Sequence, residues 1–481
     1  MFALRIKRSV ALGLLGLAGG MALALLGLVG CSRLPTIVPD LARSPAQQVQ
    51  LVGARGPLSA AQSKAILDGL KSRGGDSDIF DRHLAIEEAV VGSPLTTGNQ
   101  VLLLQDGPAT YQAMHAAIMA ARDHINMETY ILDDDEVGQR FAQALIAKQR
   151  QGVQVNLIRD SVGTIGTPAA FFQTLIDSGI KVLEFNPINP LASLAARQEW
   201  ELNQRDHRKL LIVDGRTAFL GGINISSVYS GSSGSRAKRQ KPESEPNSDP
   251  SNLAWRDTDL QLRGPVVAEF QKLFIAAWEG QKGEPLAARN YFPKLDNAGG
   301  QVVRAIGSSP DEPHSLIYAT LLSAIGSAER SVHLTNAYFV PDPQLLAALE
   351  AAAQRGVDVT LILPSQADSW LVFHAGRRHY AQLLRARVKI YERRGVILHS
   401  KTALIDGVWA TVGSTNLDWR SFLHNFELNA VVLGPEFGGQ VQAMFTKDLA
   451  ASDAITLEQW QRRSLDLRLK EWFAQVWEYW L

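Results

Sequence analysis

The sequence predicts an α/β protein of two pseudo-symmetric halves, each a mixed β-sheet flanked by helices, with the functional site at their interface. Three observations predict it. The phrase H-x-K-x-x-x-x-D-G occurs twice, over residues 207–215 and 399–407. Each copy is followed at matching spacing by a glycine, Gly221 or Gly413, and then by an asparagine, Asn224 or Asn416. Upstream of each copy, short aliphatic segments recur in the same order and alternate with helical stretches, the pattern of a sheet covered by helices.

The first half is expected over residues 101–290 and the second over 291–450. In the first, residues 121–131, 152–158 and 179–184 read as strands. Their counterparts in the second are 328–339, 356–362 and 387–392. Ala/Leu/Gln-rich stretches at 137–149 and 344–354 carry helical spacing. Each half then closes with an aliphatic run, Asp-Gly and a second apolar run, which reads as a tight hairpin. Two such halves pack about a pseudo-twofold axis with their hairpin faces together, so that His207 comes near His399. Tyr130 and Tyr338 occupy matching strand ends; core packing is the favoured reading and lining the pocket the alternative.

On a strand, alternate side chains share a face, so His207 and Lys209 point the same way, as do His399 and Lys401. An imidazole titrates near neutrality and can attack or exchange protons, while a lysine offers a positive charge to an anionic oxygen. Two facing His/Lys pairs suit a phosphodiester. One histidine attacks phosphorus and holds the phosphoryl group; the other protonates the leaving oxygen and then deprotonates the incoming alcohol or water. Lys209, Lys401, Asn224 and Asn416 would hold the non-bridging oxygens, and the scheme requires no metal or cofactor. Asp214 and Asp406 are either catalytic members of the motif or turn-formers. Asp257 and Glu427, downstream of the two phrases, are candidates for orienting an imidazole. Ser414 offers a hydroxyl where the first copy has Gly222.

These residues resemble the phospholipase D superfamily, whose H-x-K-x(4)-D motif is followed by G-G/S-x-N. The resemblance rests on residues 206–215, 221–224, 398–402, 412–421 and 425–427 and extends over roughly 100–450. Its wording is similar to the bacterial cardiolipin synthase branch. The resemblance implies metal-independent exchange of phosphatidyl groups through a phosphohistidine, with His207 as the more usual nucleophile. Cardiolipin synthesis is therefore the leading expectation and a hydrolytic phospholipase D the alternative. The two share every catalytic residue. A nuclease of the same superfamily fits less well, since such members tend to be short and basic with one motif per chain, and a scaffold with a dead site would show decay in one motif.

Residues 1–31 carry a basic start, an apolar stretch over 10–29 and the sequence Leu28-Val-Gly-Cys31, which is similar to a bacterial lipoprotein cleavage box. Lipidation at Cys31, the chain's single cysteine, is expected, with an uncleaved anchor as the other reading. Ser32 then favours the outer over the inner membrane, giving a tethered, extracytoplasmic enzyme. Residues 32–100 read as a spacer packing against the first half, with helical patterns at 60–72 and 78–91. Residues 230–252 are a polar, low-complexity insertion expected to stay solvated, with a basic cluster at Arg236, Lys238, Arg239 and Lys241. Residues 451–481 read as an amphipathic helix bearing Trp460, Trp472, Trp477 and Trp480, suited to a membrane interface or to docking on the body.

Composition sets limits. Lys plus Arg equal Asp plus Glu at 48 each, which counts against a nucleic-acid binder. Phospholipids and a membrane surface are the expected partners, and an accessory membrane protein stays open. With one cysteine, stability rests on the apolar core rather than on disulfides.

Overall fold

Two sheets run side by side and share one long strand. The computed structural model describes residues 37–38, 47–75, 77–189, 202–231 and 253–481. The leader, Cys31 and residues 232–252 of the polar insertion lie outside them. Residues Asp40–Leu481 form one contact unit that contains both motifs.

A short hairpin, β1 (Leu51–Gly53) and β2 (Gly56–Pro57), leads to α1 (Ala60–Gly74) and, after a π-helical turn over Ile79–His83, α2 (Leu84–Val90). The first repeat then runs β3 (Leu95–Leu104), α3 (Gly107–Ala120), β4 (His124–Thr129), α4 (Glu136–Arg150), β5 (Gln154–Asp160), α5 (Ala169–Asp177) and β6 (Lys181–Phe185). It continues with β7 (Arg205–Asp206), β8 (Leu210–Val213), β9 (Thr217–Gly221), β10 (Trp255–Arg256), β11 (Asp259–Arg263) and α6 (Val266–Gly280). The second repeat follows the same plan: β12 (Gln301–Ser308), α7 (Leu316–Gly326), β13 (Ser331–Asn336), α8 (Pro343–Gln354), β14 (Asp358–Pro364), α9 (Trp370–Arg377), α10 (Tyr380–Arg385) and β15 (Lys389–Arg393). It closes with β16 (Ile397–Leu398), β17 (Lys401–Ile405), β18 (Trp409–Gly413), α11 (Trp419–Leu423), β19 (Asn425–Leu433) and α12 (Pro435–Ala450).

The repeats match in topology as well as order. In the first, β4, β5 and β6 are parallel, and β8, β9, β11 and β3 continue the sheet antiparallel from β4. In the second, β13, β14 and β15 are parallel, and β17, β18, β19 and β12 continue antiparallel from β13. Strand β3 joins them, pairing its first part with β12 and its second part, Gln100–Leu104, with β11. The fold is thus the expected mixed α/β arrangement in two like halves. Matching helices begin at matching caps: Asp106 and Ser315 cap α3 and α7, and Asp135 and Asp342 cap α4 and α8, each side-chain oxygen accepting a first-turn N–H.

Strand alternation divides the apolar residues between two layers. Leu210, Ile212 and Leu220 of the first half and Leu404, Val412 and Leu428 of the second enter one core, filled by Phe270 and Phe274 of α6 and Phe437 and Val441 of α12. Their strand neighbours Leu211, Val213 and Phe219 turn outward beneath α3, α4 and α5. One apolar core shared by both halves fixes their relative placement, which the site requires.

Two expectations are corrected. The segment before β3 packs chiefly on the second half: Ser77 bonds Asp406, Arg73 pairs with Glu436, and the His83 ring meets Trp409 edge-on. The C-terminal stretch is no single helix. Residues Ser452–Ile455 form β20 on the free edge of β15, a capping box at Thr456 starts α13 (Leu457–Gln461), and Ser464 restarts the chain as α14 (Leu465–Gln475), followed by a 3-10 turn over Glu478–Trp480.

Candidate active site

Each hairpin turn has positive φ at both centre positions, 54° and 61° at Asp214 and Gly215, and 52° and 71° at Asp406 and Gly407. A tight hairpin of this twist needs that geometry, which Asp-Gly supplies at low cost. The two aspartates are held at these turns by backbone amides. Asp214 accepts from the N–H groups of Arg122, Asp123 and His124, and Asp406 from those of Glu329, Arg330 and Ser331. They sit at the far ends of β8 and β17 from the histidines, so of the two expected roles the geometry favours the turn-former over the catalytic member.

The histidines are placed by short ladders that cross between the halves. Strand β7 runs parallel to β19, and the His207 amide donates to the Phe426 carbonyl. Strand β10 runs parallel to β16, and the His399 amide donates to the Arg256 carbonyl. Each ladder carries the acid of the opposite half beside the imidazole. His207 Nδ1 lies 3.0 Å from Glu427 Oε1, and His399 Nδ1 lies 2.7 Å from Asp257 Oδ2. A carboxylate at Nδ1 holds the proton there and leaves Nε2 with its lone pair. Lys401 Nζ also stands 3.0 Å from His399 Nδ1. The shorter carboxylate contact takes the Nδ1 proton, so the ammonium is a neighbour of that nitrogen, with its own hydrogen bond to the His399 carbonyl. Lys209 makes the equivalent bond to the His207 carbonyl.

All six groups are buried, and each motif acts on the other. Burial pushes the His207 imidazole down to about 4, against the upward pull of Glu427, and Lys401 lowers it further. Burial likewise takes Lys209 down to about 7 and Lys401 to about 8. His399 is also lowered, first by burial and then by Lys401. Burial alone would raise Glu427; His207, Lys209 and the Ser414 hydroxyl outweigh it and hold the carboxyl below its ordinary range. Lys401 of the second motif thus acts on both His207 and Lys209 of the first, and the crossed ladders hold the two motifs near each other.

Two further expected residues, Ser414 and Asn224, are engaged inside the protein. Ser414 donates to Glu427 Oε2 and so supports the acid rather than opening to a ligand. Asn224 accepts from the Ile131 amide and donates to the Tyr229 hydroxyl. Asn416, its counterpart, keeps a buried Oδ1 without a hydrogen-bond partner among the described residues. The difference between Ser414 and Gly222 has a steric cause. A Cβ at position 222 would fall 2.3 Å from Asp257 Oδ1, so the shorter acid packs directly on the glycine, whereas Glu427 leaves room for the serine.

An aromatic wall lines the site, and the sequence reading missed Trp255 and Tyr229 in it. Tyr130 meets His207 edge-on at 5.1 Å and its face lies 5.1 Å from Lys209 Nζ. Tyr338 lies 6.2 Å from His399, the Trp255 ring 4.9 Å, and the Tyr229 hydroxyl 3.3 Å from His399 Nδ1. For Tyr130 and Tyr338 the favoured core-packing reading gives way to the pocket-lining alternative, as their matched places in the repeat suggested. Trp255 stands two residues before Asp257 and so carried the strand period that shares its face. Asn425, which donates to Glu427 Oε1 at 3.1 Å, stands in the same relation to the second acid.

This doubled His/Lys pocket defines a phosphodiester-handling class, and comparison with known proteins gives the family. The family described as "Cardiolipin synthase, PLD-like domain" matches residues 114–230 and again 321–449. A cardiolipin synthase of Geobacillus sp. (strain WCH70) is 34% identical over 431 residues, covering 85% of this chain and 80% of that protein. Cardiolipin synthase A of Pseudomonas putida (strain GB-1) is 35% identical over 371 residues, 76% of this chain and 71% of that one. The crystal structure of a phosphatidylserine synthase from Haemophilus influenzae Rd KW20 superposes with TM-score 0.57 over 81% of this chain and 98% of its own, at 12% identity, and shares the fold. The chain belongs to the phospholipase D-like cardiolipin synthase family and is a phospholipase D-type transphosphatidylase.

The same kinship corrects the localisation expected from the leader. Cardiolipin synthases are typically enzymes of the inner membrane and its cytoplasmic face, so a lipidated, extracytoplasmic, outer-membrane protein is not upheld. Among the described residues no helix is long and apolar enough to cross a membrane.

Proposed function

We propose that the chain makes cardiolipin by moving a phosphatidyl group from one phospholipid to the alcohol of another through a phosphohistidine. The observation that carries this reading is the pair of imidazoles, each with Nδ1 on a carboxylate of the other half and Nε2 left to act. The relatives' activity supports the substrate class.

His207 is the proposed nucleophile, as the family resemblance implies; burial, which lowers both imidazoles, leaves it unprotonated and able to attack at neutral pH. Its Nε2 forms a bond to phosphorus as the bond to the leaving alkoxide breaks; His399, which must enter this step as the imidazolium with its Nδ1–H on Asp257, gives that oxygen its second proton, from Nε2. The acceptor's hydroxyl then returns a proton to His399, its oxygen bonds to phosphorus, and the bond to His207 Nε2 breaks. Lys209 and Lys401 offset the charge on the non-bridging oxygens, which leaves no step needing a metal. Incubating the protein with phosphatidylglycerol in the presence of a chelator tests this. Cardiolipin plus glycerol, with a phosphatidyl adduct on His207 after rapid quench, is expected. Phosphatidic acid as the main product means that water is the acceptor, and activity restored only by a divalent ion overturns the metal-free scheme.

A further inference from the structure

The two motifs are alike in their catalytic groups and unlike in what surrounds the imidazoles. Trp255 pairs with Ile397, two residues before His399, and Asn425 pairs with Arg205, two residues before His207. The two side chains therefore hold equivalent places beside the two rings. Tyr229 and Ser421 are equivalent as well, each standing eight residues past its glycine, Gly221 or Gly413. The His399 ring has Trp255 tilted across it at 4.9 Å, Tyr229 edge-on at 5.9 Å and Tyr338 edge-on at 6.2 Å. Among the described residues Tyr130 is the one aromatic partner of the His207 ring. Where His399 has the tryptophan, His207 has Asn425, whose amide turns to Glu427.

The motif asparagines follow the same division. Asn224 donates to the Tyr229 hydroxyl at 3.1 Å, and this oxygen stands 3.3 Å from His399 Nδ1, a second oxygen beside the Asp257 carboxylate. Tyr229 also packs on Trp255 at 5.2 Å and fixes its place. Asn416 has no such chain to serve. Ser421 stands where the tyrosine would, and Asn416 Oδ1 keeps no hydrogen-bond partner among the described residues.

A ring that protonates a leaving oxygen must carry a positive charge when that oxygen arrives. The charged and titratable neighbours of His399 are Asp257, Lys401, Asp368, Tyr229 and Tyr338. Burial and Lys401 Nζ, 3.0 Å from Nδ1, work against the imidazolium, while Asp257 and Asp368 work for it. Tyr229 and Tyr338 are held as neutral phenols, chiefly by burial, so they add rings and hydroxyl oxygens but no charge. The face of an aromatic ring is the negative end of its quadrupole and attracts a cation, most of all when the ring is tryptophan and water is excluded. The imidazolium gains from that attraction far more than the neutral ring does. We propose that Trp255 and Tyr229 are positioning residues that hold the proton on His399, so that unlike surroundings divide two like histidines into a charged acid and a neutral nucleophile. The proposal rests on the phosphatidyl-transfer reading and adds what tells the two imidazoles apart.

The test uses the full chain carrying Trp255→Leu, Trp255→Phe or Tyr229→Phe. NMR titration of histidines labelled at Cε1 reads each imidazole directly, with His399 and His207 assigned by the signals lost in His399→Gln and His207→Gln. Trp255→Leu should raise the acid dissociation constant of His399 about ten-fold, and Trp255→Phe much less, since a ring face remains. Tyr229→Phe removes only the hydroxyl and should raise it about three-fold. His207 should titrate as in the wild type. Turnover is compared on phosphatidylglycerol and on phosphatidyl-p-nitrophenol, whose leaving group departs without a proton. The rate on the first relative to the second should fall by the same factors, and the alkaline limb on phosphatidylglycerol should move toward acid. An unchanged His399, an equal shift of both imidazoles, or an equal loss on both esters overturns the proposal. If Trp255→Leu fails to fold, Tyr229→Phe, which keeps the ring, decides alone. The titration needs no turnover, so a change confined to His399 in a chain that makes phosphatidic acid rather than cardiolipin upholds this inference while the cardiolipin reading fails.

Discussion

Glu427 in the second half accepts the Nδ1 proton of His207 in the first, at 3.0 Å, and Asp257 repays the arrangement to His399 at 2.7 Å. Each imidazole is therefore oriented from across the interface by a strand that pairs with its own.

Glu427→Gln and Asp257→Asn should each lower kcat by about 10²–10⁴, since a neutral partner weakens the hold on the Nδ1 proton. They should differ on a phosphodiester with a good leaving group, which needs no acid. Asp257→Asn should then still give a burst of released alcohol and accumulate adduct on His207, whereas Glu427→Gln should give neither. A burst in Glu427→Gln and none in Asp257→Asn would reverse the assignment of nucleophile.

The pH dependence of kcat/KM should be displaced toward acid. His207 must be unprotonated to attack, and its proton is lost near 4 rather than near 6.5. The alkaline limb should fall as the acid His399 loses its proton and as Lys209 and Lys401 lose charge near 7 and 8. A profile still rising at pH 9 would contradict it. The same shift affects stability. The unfolded lysine at position 209 binds its proton up to about 10.5 and the folded one only to about 7, so this residue makes the fold more stable as pH rises through that interval. Lys209→Met should flatten the rise of Tm between pH 7 and 10, and an unaltered slope would refute the burial effect.

Gly222→Ala should be more damaging than Ser414→Ala. The added methyl meets Asp257 Oδ1 at 2.3 Å and must push the carboxylate off His399. Ser414→Ala removes one hydrogen bond to a carboxylate that still has Asn425 and His207, which should cost about ten-fold in kcat by the usual worth of a bond to a charged group. Equal effects would mean that the glycine does not serve the acid.

Asp406→Ala should destabilise the protein while sparing the chemistry. It strips acceptors from three backbone amides and the Ser77 hydroxyl, at a cost of about 1–3 kcal/mol. Thermal unfolding and kcat per folded molecule separate the two. A loss of kcat by 10³ or more at unchanged Tm would restore the aspartate to the catalytic set.

What the sequence made legible followed the range of the interaction. His207 with Lys209, the Asp-Gly turns and the strand-helix order within each repeat depend on neighbours a few residues apart, and local periodicity carries such information. The partnership of His207 with Glu427 spans 220 positions and that of His399 with Asp257 spans 142. It depends on how the two-residue strands β7, β10 and β16 pair, and nothing in so short a strand specifies its partner. The turn role of Asp214 and Asp406 was legible, but the amides that donate to their carboxylates were not, since these lie at the start of β4 and β13, far upstream. Tyr229 gave no signal, because its contact with His399 follows from the packing of the two cores.

Duplication ordinarily frees one copy to drift while the other keeps the trade. The crossed ladders deny that freedom here. A lost acid in either repeat silences the imidazole of its sibling, so selection must see the two as one inherited unit, and a surviving single repeat would have to find its missing carboxylate in another molecule.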